Sequence, residues 1–118
     1  MAKTPRELLN GFMNGLAETS KTSSEQINAF MALLGASYKP ITMDLKTKEL
    51  ISVAIGVYSR CEYCIAFHVF KAFEAGASRE EIMEAAMVAV AFGGGPSMAY
   101  SVTLVRESIT EFAPDFGK

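Results

Sequence analysis

Two cysteines and one histidine are all the chain holds of those residue types. They fall within eight positions, Cys61-Glu62-Tyr63-Cys64-Ile65-Ala66-Phe67-His68. On a helix turning about 100° per residue, Cys64 lies ~300° and His68 ~340° around from Cys61, so the three share a sector of about 60°. A Cys-x-x-Cys step lets the two sulfurs close a disulfide across one turn. His68 stands one turn beyond Cys64, within reach of its sulfur directly or through a water. Thiolate, not thiol, attacks peroxides and disulfides. Three features of the segment favour it: the unpaired N–H groups of a helix starting at Cys61, the cation of Arg60, and the imidazole of His68 as proton acceptor. Settings of this kind bring a thiol pKa from about 8.5 into the range of about 3.5–7.5.

The same residues have other uses. Paired cysteines also serve as two small buried hydrophobes, but the only histidine of the chain on the same face turns the balance towards chemistry. Two Cys and one His make three zinc ligands where a closed structural site takes four. There is no second Cys-x-x-Cys, so a zinc ribbon would require subunits to share ligands. No metal or other cofactor is expected. The thioredoxin use of Cys-x-x-Cys belongs to a βαβ context, which the chain lacks. Gly93-Gly94-Gly95-Pro96 could cradle an anion at a helix start, but it lacks the Lys and Ser/Thr of a phosphate loop and reads as a helix break.

Helices must position these groups. Thr4-Pro5-Arg6-Glu7 combines a capping Thr, a Pro at the first helical position and a Glu three residues after the cap. Leu8, Leu9, Phe12, Met13 and Leu16 then follow at helical spacing, so a first helix is expected from Thr4 to about Leu16. Thr22-Ser23-Ser24-Glu25 opens a second, with Ile27, Phe30, Met31 and Leu34 on its apolar stripe and Gly35 as its end. Asp44 caps a third through Leu45, Ile51, Ala54, Ile55 and Tyr58. A fourth runs from near Cys61 to Gly76. Ser78-Arg79-Glu80-Glu81 is a second capping box, opening a fifth helix through Ile82, Ala86, Val90 and Ala91. Pro96 starts a last helix reaching about Phe112. Alternating β-branched runs and tight Asn-Gly turns are missing. The expectation is an all-α fold of about six helices in a single domain spanning 1–118.

Composition agrees with a globular chain of that kind. With 118 residues, about 66% of the unfolded surface is buried on folding, enough for a core without disulfides or metal. Half the residues are apolar and 20% are charged, which excludes a disordered chain. The net charge is −2 with no basic run, which argues against nucleic acid as a partner. No apolar stretch follows the charges of Met1 to Glu7, so no signal peptide is expected and the chain is placed in the cytoplasm. The mean hydropathy of +0.21 is high for a small soluble protein. No charge occurs from Ala85 to Val105, but Gly93-Gly94-Gly95-Pro96 and several hydroxyls interrupt the run, so no membrane span is expected. Helices buried on several sides, partly against other subunits, account for it better. For the seven Met and eight Phe, core or subunit interface is expected ahead of a pocket wall.

Lys46-Thr47-Lys48-Glu49-Leu50-Ile51, followed by Cys-x-x-Cys-x-x-x-His, resembles the alkylhydroperoxidase-like branch of the carboxymuconolactone decarboxylase superfamily. Gly76-Ala77-Ser78-Arg79-Glu80-Glu81-Ile82, the Ala-rich helix after it and Gly95-Pro96 carry the likeness on, so that it spans roughly Ile41 to Val105. The resemblance implies an oligomeric all-helical protein, usually trimeric or hexameric, acting as a thiol-dependent peroxidase or disulfide reductase, of which the peroxidase is the expectation. Cys64 would be the peroxidatic cysteine, Cys61 the residue that resolves its sulfenic acid to a disulfide, and His68 with Glu49 the relay that deprotonates Cys64. The substrate would be a small hydroperoxide or disulfide, with a dithiol or redox protein as electron donor. Glu49 taken alone is a helix-surface carboxylate, and its role rests on the resemblance. Alkylhydroperoxidases carry a His between the cysteines where this chain has Tyr63, which does not share a proton at neutral pH. Decarboxylases of the superfamily lack the thiol pair, so the chain falls on the redox side. The alternatives are a thiol–disulfide reductase with a protein partner and a non-catalytic oligomer whose cysteine pair is structural or metal-bound.

Overall fold

The capping signals mark where helices begin in the structure, a computed structural model describing residues 2–118. Thr4 takes the Glu7 N–H on its side chain while the Glu7 carboxylate takes the Thr4 N–H at 2.9 Å, and α1 (Pro5–Thr19) follows. Ser78 and Glu81 repeat the device at the start of α5 (Arg79–Gly93). Asp44 caps α3 (Leu45–Tyr58) by accepting the Thr47 N–H at 2.8 Å. Each carboxylate is held below its ordinary range: Glu7 by the Thr4 N–H, Asp44 by hydrogen bonds from Thr47, and Glu81 by the Ser78 N–H with help from Lys46. α2 (Ser24–Tyr38) and α4 (Glu62–Glu74) complete the first five helices. A sixth rod runs through α6 (Gly95–Tyr100), a π-helical turn (Ser101–Val105) and α7 (Arg106–Phe112), then tightens into a 3-10 turn at Ala113–Phe116. Among the described residues there is no strand.

α4 lies at the centre. Its Ile65, Ala66, Val69, Ala72 and Phe73 are buried together with Val53 and Val57 of α3, Ile82 and Ala86 of α5, Val105 and Phe112 of the last rod, and Leu8 and Leu9 of α1. α1 is tied to its own chain by Arg6, whose guanidinium reaches Glu111 at 2.8 Å and Asp115 at 3.0 Å. Among the described residues no helix is long and apolar enough to cross a membrane.

Three local expectations are corrected. α1 runs on to Thr19 rather than ending near Leu16. α2 does not stop at Gly35: the ammonium of Lys48 donates to the carbonyls of Ser37 and Lys39 at 2.9 and 2.7 Å, closing the helix one turn later, just before Pro40. The last helix is not uniform, because five of its residues, Ser101–Val105, widen into a π turn. On α3 the face turned inward is Glu49, Ser52, Val53, Gly56 and Val57, while Ile51, Ile55 and Tyr58 face outward. A helix apolar on both sides asks for cover on both. The accessible surface of 7015 Å² also exceeds the ~6,300 Å² typical of a monomer of this mass.

Candidate active site

The cysteine pair sits where α3 ends and α4 begins, and three residues make the turn. Arg60 takes a left-handed conformation (φ +55°). Its N–H bonds the Val57 carbonyl at 3.1 Å, and the Cys61 N–H reaches back to the Gly56 carbonyl at 3.0 Å. This is the pairing that closes a helix end around a left-handed residue, a place usually held by glycine. Cys61 is therefore not in the helix, as the sequence spacing assumed, but immediately before it (φ −97°, ψ 103°). Its Sγ accepts the Cys64 N–H at 3.1 Å, so the cysteine caps α4 as a serine would. Cys61 and Cys64 form a disulfide with Cα atoms 5.2 Å apart.

Cys64 and His68 are one turn apart on α4, with His68 turned towards α3. There the Glu49 carboxylate, 5% exposed, accepts from His68 Nδ1 at 2.7 Å. Two rings confine the imidazole: Tyr38 lies over it, nearly parallel at 17° with centroids 5.7 Å apart, and Phe67 meets it edge-on at 5.0 Å. The Tyr38 hydroxyl is hydrogen-bonded to Ser52, whose own hydroxyl donates to the Lys48 carbonyl at 2.9 Å. α3 comes this close to α4 because position 56 is glycine: a Cβ there would stand 3.3 Å from Cys64 Cβ and 3.4 Å from the Ile65 nitrogen.

These groups open onto one cavity of 520 Å³ between α1, α2, α3 and α4. Its wall is mostly apolar, with Phe12, Met13, Leu16, Phe30, Met31 and Leu34 contributed by α1 and α2. Cys64, His68, Glu49, Tyr38 and Tyr63 lie on the same cavity, which Lys71 and Glu74, paired with each other at 3.0 Å, also line. Five of the Met and Phe side chains expected at a core or interface, Phe67 with the four from α1 and α2, are thus pocket wall within the single chain. Of the four expected site residues, Cys64, His68 and Glu49 share the cavity. Cys61 is joined to Cys64 by the disulfide but does not line it. Tyr63, at the position between the cysteines, lines the cavity and has the Lys3 ammonium over its ring at 6.0 Å. Tyr38, Ser52 and Gly56 went unnoticed in the sequence. The site can hold an apolar molecule against a sulfur with a carboxylate-oriented imidazole beside it.

The carboxymuconolactone decarboxylase family matches residues 26–107, more than half of the chain. An uncharacterized protein of the cox locus in Paracoccus denitrificans is 37% identical over 86 residues, covering 73% of this chain and 78% of that one. Among solved structures, a carboxymuconolactone decarboxylase family protein of Legionella pneumophila superposes with a TM-score of 0.83 at 34% identity, over 97% of both chains. A family member from Thermotoga maritima, for which an antioxidative role has been suggested, gives a TM-score of 0.74 at 29% identity, over 93% of this chain and 96% of that one. With a family match spanning α3, α4 and the cysteine turn between them, the chain belongs to the carboxymuconolactone decarboxylase family.

Proposed function

We propose that the chain is a thiol-dependent peroxidase of the alkylhydroperoxidase-like branch. The observation that carries the reading is the sharing of one apolar cavity by Cys64 and the Glu49–His68 pair, with Cys61 in disulfide linkage behind. In the reduced protein, His68 takes the Cys64 proton on Nε2 while Glu49 holds Nδ1–H. The Cys64 thiolate attacks the distal oxygen of a hydroperoxide. The O–O bond breaks, an alcohol leaves with a proton, and Cys64 becomes a sulfenic acid. The Cys61 thiol then displaces water to form the disulfide, which an external dithiol reduces by exchange. Apolar lining from α1 and α2 supports an organic hydroperoxide as substrate. Tyr63 stands where relatives of this branch place a His, and the relay runs through His68 without it.

The test is consumption of an organic hydroperoxide with dihydrolipoamide as donor, in wild type and Cys64→Ser. Turnover that vanishes in the variant is expected, and Cys61→Ser should leave a sulfenic acid that a dimedone probe traps. A second reading, exchange with a protein disulfide, draws support from Tyr63, 43% exposed beside the disulfide, which gives a partner a surface to grip. An unreactive wild type whose disulfide nonetheless exchanges with a partner would select it.

The chain is also proposed to act as a homo-oligomer. Ile55 and Tyr58 of α3, Val88 and Phe92 of α5 and Met98 and Val102 of the last rod are large, apolar and exposed, Phe92 at 81%. Single exposed apolar residues are ordinary, but such a set on adjoining helices marks a contact surface. Light scattering on wild type and Phe92→Glu checks it, with a smaller species expected for the variant.

A further inference from the structure

We propose that Tyr38 is a positioning residue for His68, and that the last turn of α2 serves to deliver it. An imidazole held by one hydrogen bond can still swing about its Cβ–Cγ bond, since torsions of that type are broad. Here two rings close off the swing, Tyr38 stacked on one face and Phe67 edge-on. Tyr38 is itself fixed from α3. The Ser52 hydrogen goes to the Lys48 carbonyl, so the Tyr38 hydroxyl donates to the Ser52 oxygen. The Lys48 ammonium holds the carbonyls of Ser37 and Lys39 on either side of Tyr38. One stretch of α3, Lys48 to Ser52, therefore holds the imidazole through Glu49 and the ring lying on it through Lys48 and Ser52. α2 has no buried residue of its own, so its last turn is seated by these bonds rather than by a core. By closing off the swing, Tyr38, itself on the cavity wall, keeps the imidazole against Glu49, whose carboxylate holds the proton on Nδ1 and leaves Nε2 as the acceptor.

His68 is the only histidine, so selective ¹⁵N-imidazole labelling gives a single-residue signal. The measurement is made on the disulfide form at mildly alkaline pH, where a free imidazole is neutral. In wild type a single tautomer is expected, protonated on Nδ1. In Tyr38→Leu the two nitrogen shifts should move towards a common average, and in Tyr38→Phe, which keeps the ring, they should stay near wild type. The kinetic arm rests on the peroxidase reading: hydroperoxide oxidation of reduced Cys64 should slow about three- to ten-fold in Tyr38→Leu, the scale of one aromatic contact, and recover in Tyr38→Phe. If Tyr38→Leu is unfolded by circular dichroism, Ser52→Ala takes its place, with partial averaging expected. Unchanged nitrogen shifts in a folded Tyr38→Leu, or in Ser52→Ala where that replaces it, overturn the proposal. A wild type with no peroxide turnover counts against the peroxidase reading alone, since the nitrogen shifts need no substrate.

Discussion

Replacing Gly56 by alanine sets two effects of opposite sign against each other. Glycine inside a helix costs about 0.8–1.0 kcal/mol relative to alanine, so propensity alone makes Gly56→Ala stabilising. The added Cβ, however, would lie 3.3 Å from Cys64 Cβ and 3.4 Å from the Ile65 nitrogen. The Ile65 nitrogen is main chain and cannot swing aside, and the Cys64 Cβ is fixed to it, so α3 and α4 must part by a few tenths of an ångström. Overpacking of this kind costs about 1–3 kcal/mol, and the net result lies between roughly neutral and ~2 kcal/mol destabilising. Gly11 on α1 is the internal control, because a Cβ there meets nothing within 4 Å and Gly11→Ala should gain the full ~0.8–1.0 kcal/mol. The two variants should therefore differ by about 1–3 kcal/mol. At ~4 °C per kcal/mol for a domain of this size, that separates their melting temperatures by about 4–12 °C. Thermal unfolding followed by circular dichroism, at one pH, salt and protein concentration, reads the gap. Parting α3 from α4 also draws Glu49 from His68, so oxidation of reduced Cys64 should slow in Gly56→Ala and not in Gly11→Ala. Equal melting temperatures would refute the claim that glycine at 56 is required for the close approach of α3 to α4.

Glu49→Gln keeps the size of the side chain but exchanges a charge-assisted bond to His68 for a neutral one, a loss of about 1–1.5 kcal/mol. Stopped-flow oxidation of Cys64 should slow about ten-fold, and a rate equal to wild type would remove Glu49 from the relay. Arg60→Gly relieves a left-handed residue of its Cβ crowding. A gain of about 0.5–1 kcal/mol in urea unfolding is expected, and a loss would mean that the Arg60 side chain contributes more than its conformation costs. Glu7, Asp44 and Glu81 have folded pKa values below their ordinary ones. Their contribution is present above the ordinary carboxylate range, about 3.9–4.3, and is lost as pH falls through the folded values. Stability should therefore decline on acidification through that range. The decline should be shallower in a Glu7→Gln, Glu81→Gln double variant, and an unchanged slope would rule the caps out as its source.

Helix starts were legible because a cap is a local contract: Thr4 with Glu7, Asp44 with Thr47 and Ser78 with Glu81 each settle their bonds within three residues. Helix ends were less so. Gly35 looked like a stop, yet α2 runs on to Tyr38, where Pro40 turns Lys39 out of the helix (ψ 125°) and the Lys48 ammonium takes the Ser37 and Lys39 carbonyls, the latter a tertiary interaction with no local signature. The inward face of α3 is likewise set by tertiary contact. Ile51, Ile55 and Tyr58 outweigh Glu49, Ser52 and Gly56 in hydropathy, but the inner face is selected by what meets α4, namely a carboxylate for His68 and a missing side chain for Cys64. The cysteines and His68 could be found from type and spacing. Glu49 was recognisable only by resemblance, and Tyr38 by nothing short of the fold, since neither its type nor its distance in sequence points to His68.

Cys61 closes one helix with its N–H and opens the next with its sulfur. Reduction turns that sulfur from a disulfide atom into a thiol or thiolate, and an anion at a helix start is the better acceptor of the two. The reduction potential of the pair and the stability of the turn that carries it are therefore linked. Whatever favours the dithiol form over the disulfide by about 1.4 kcal/mol raises the potential by ~30 mV, and the converse holds equally. Substitutions at Gly56 or Arg60, neither of which carries sulfur, thus become means of setting how readily the protein accepts electrons.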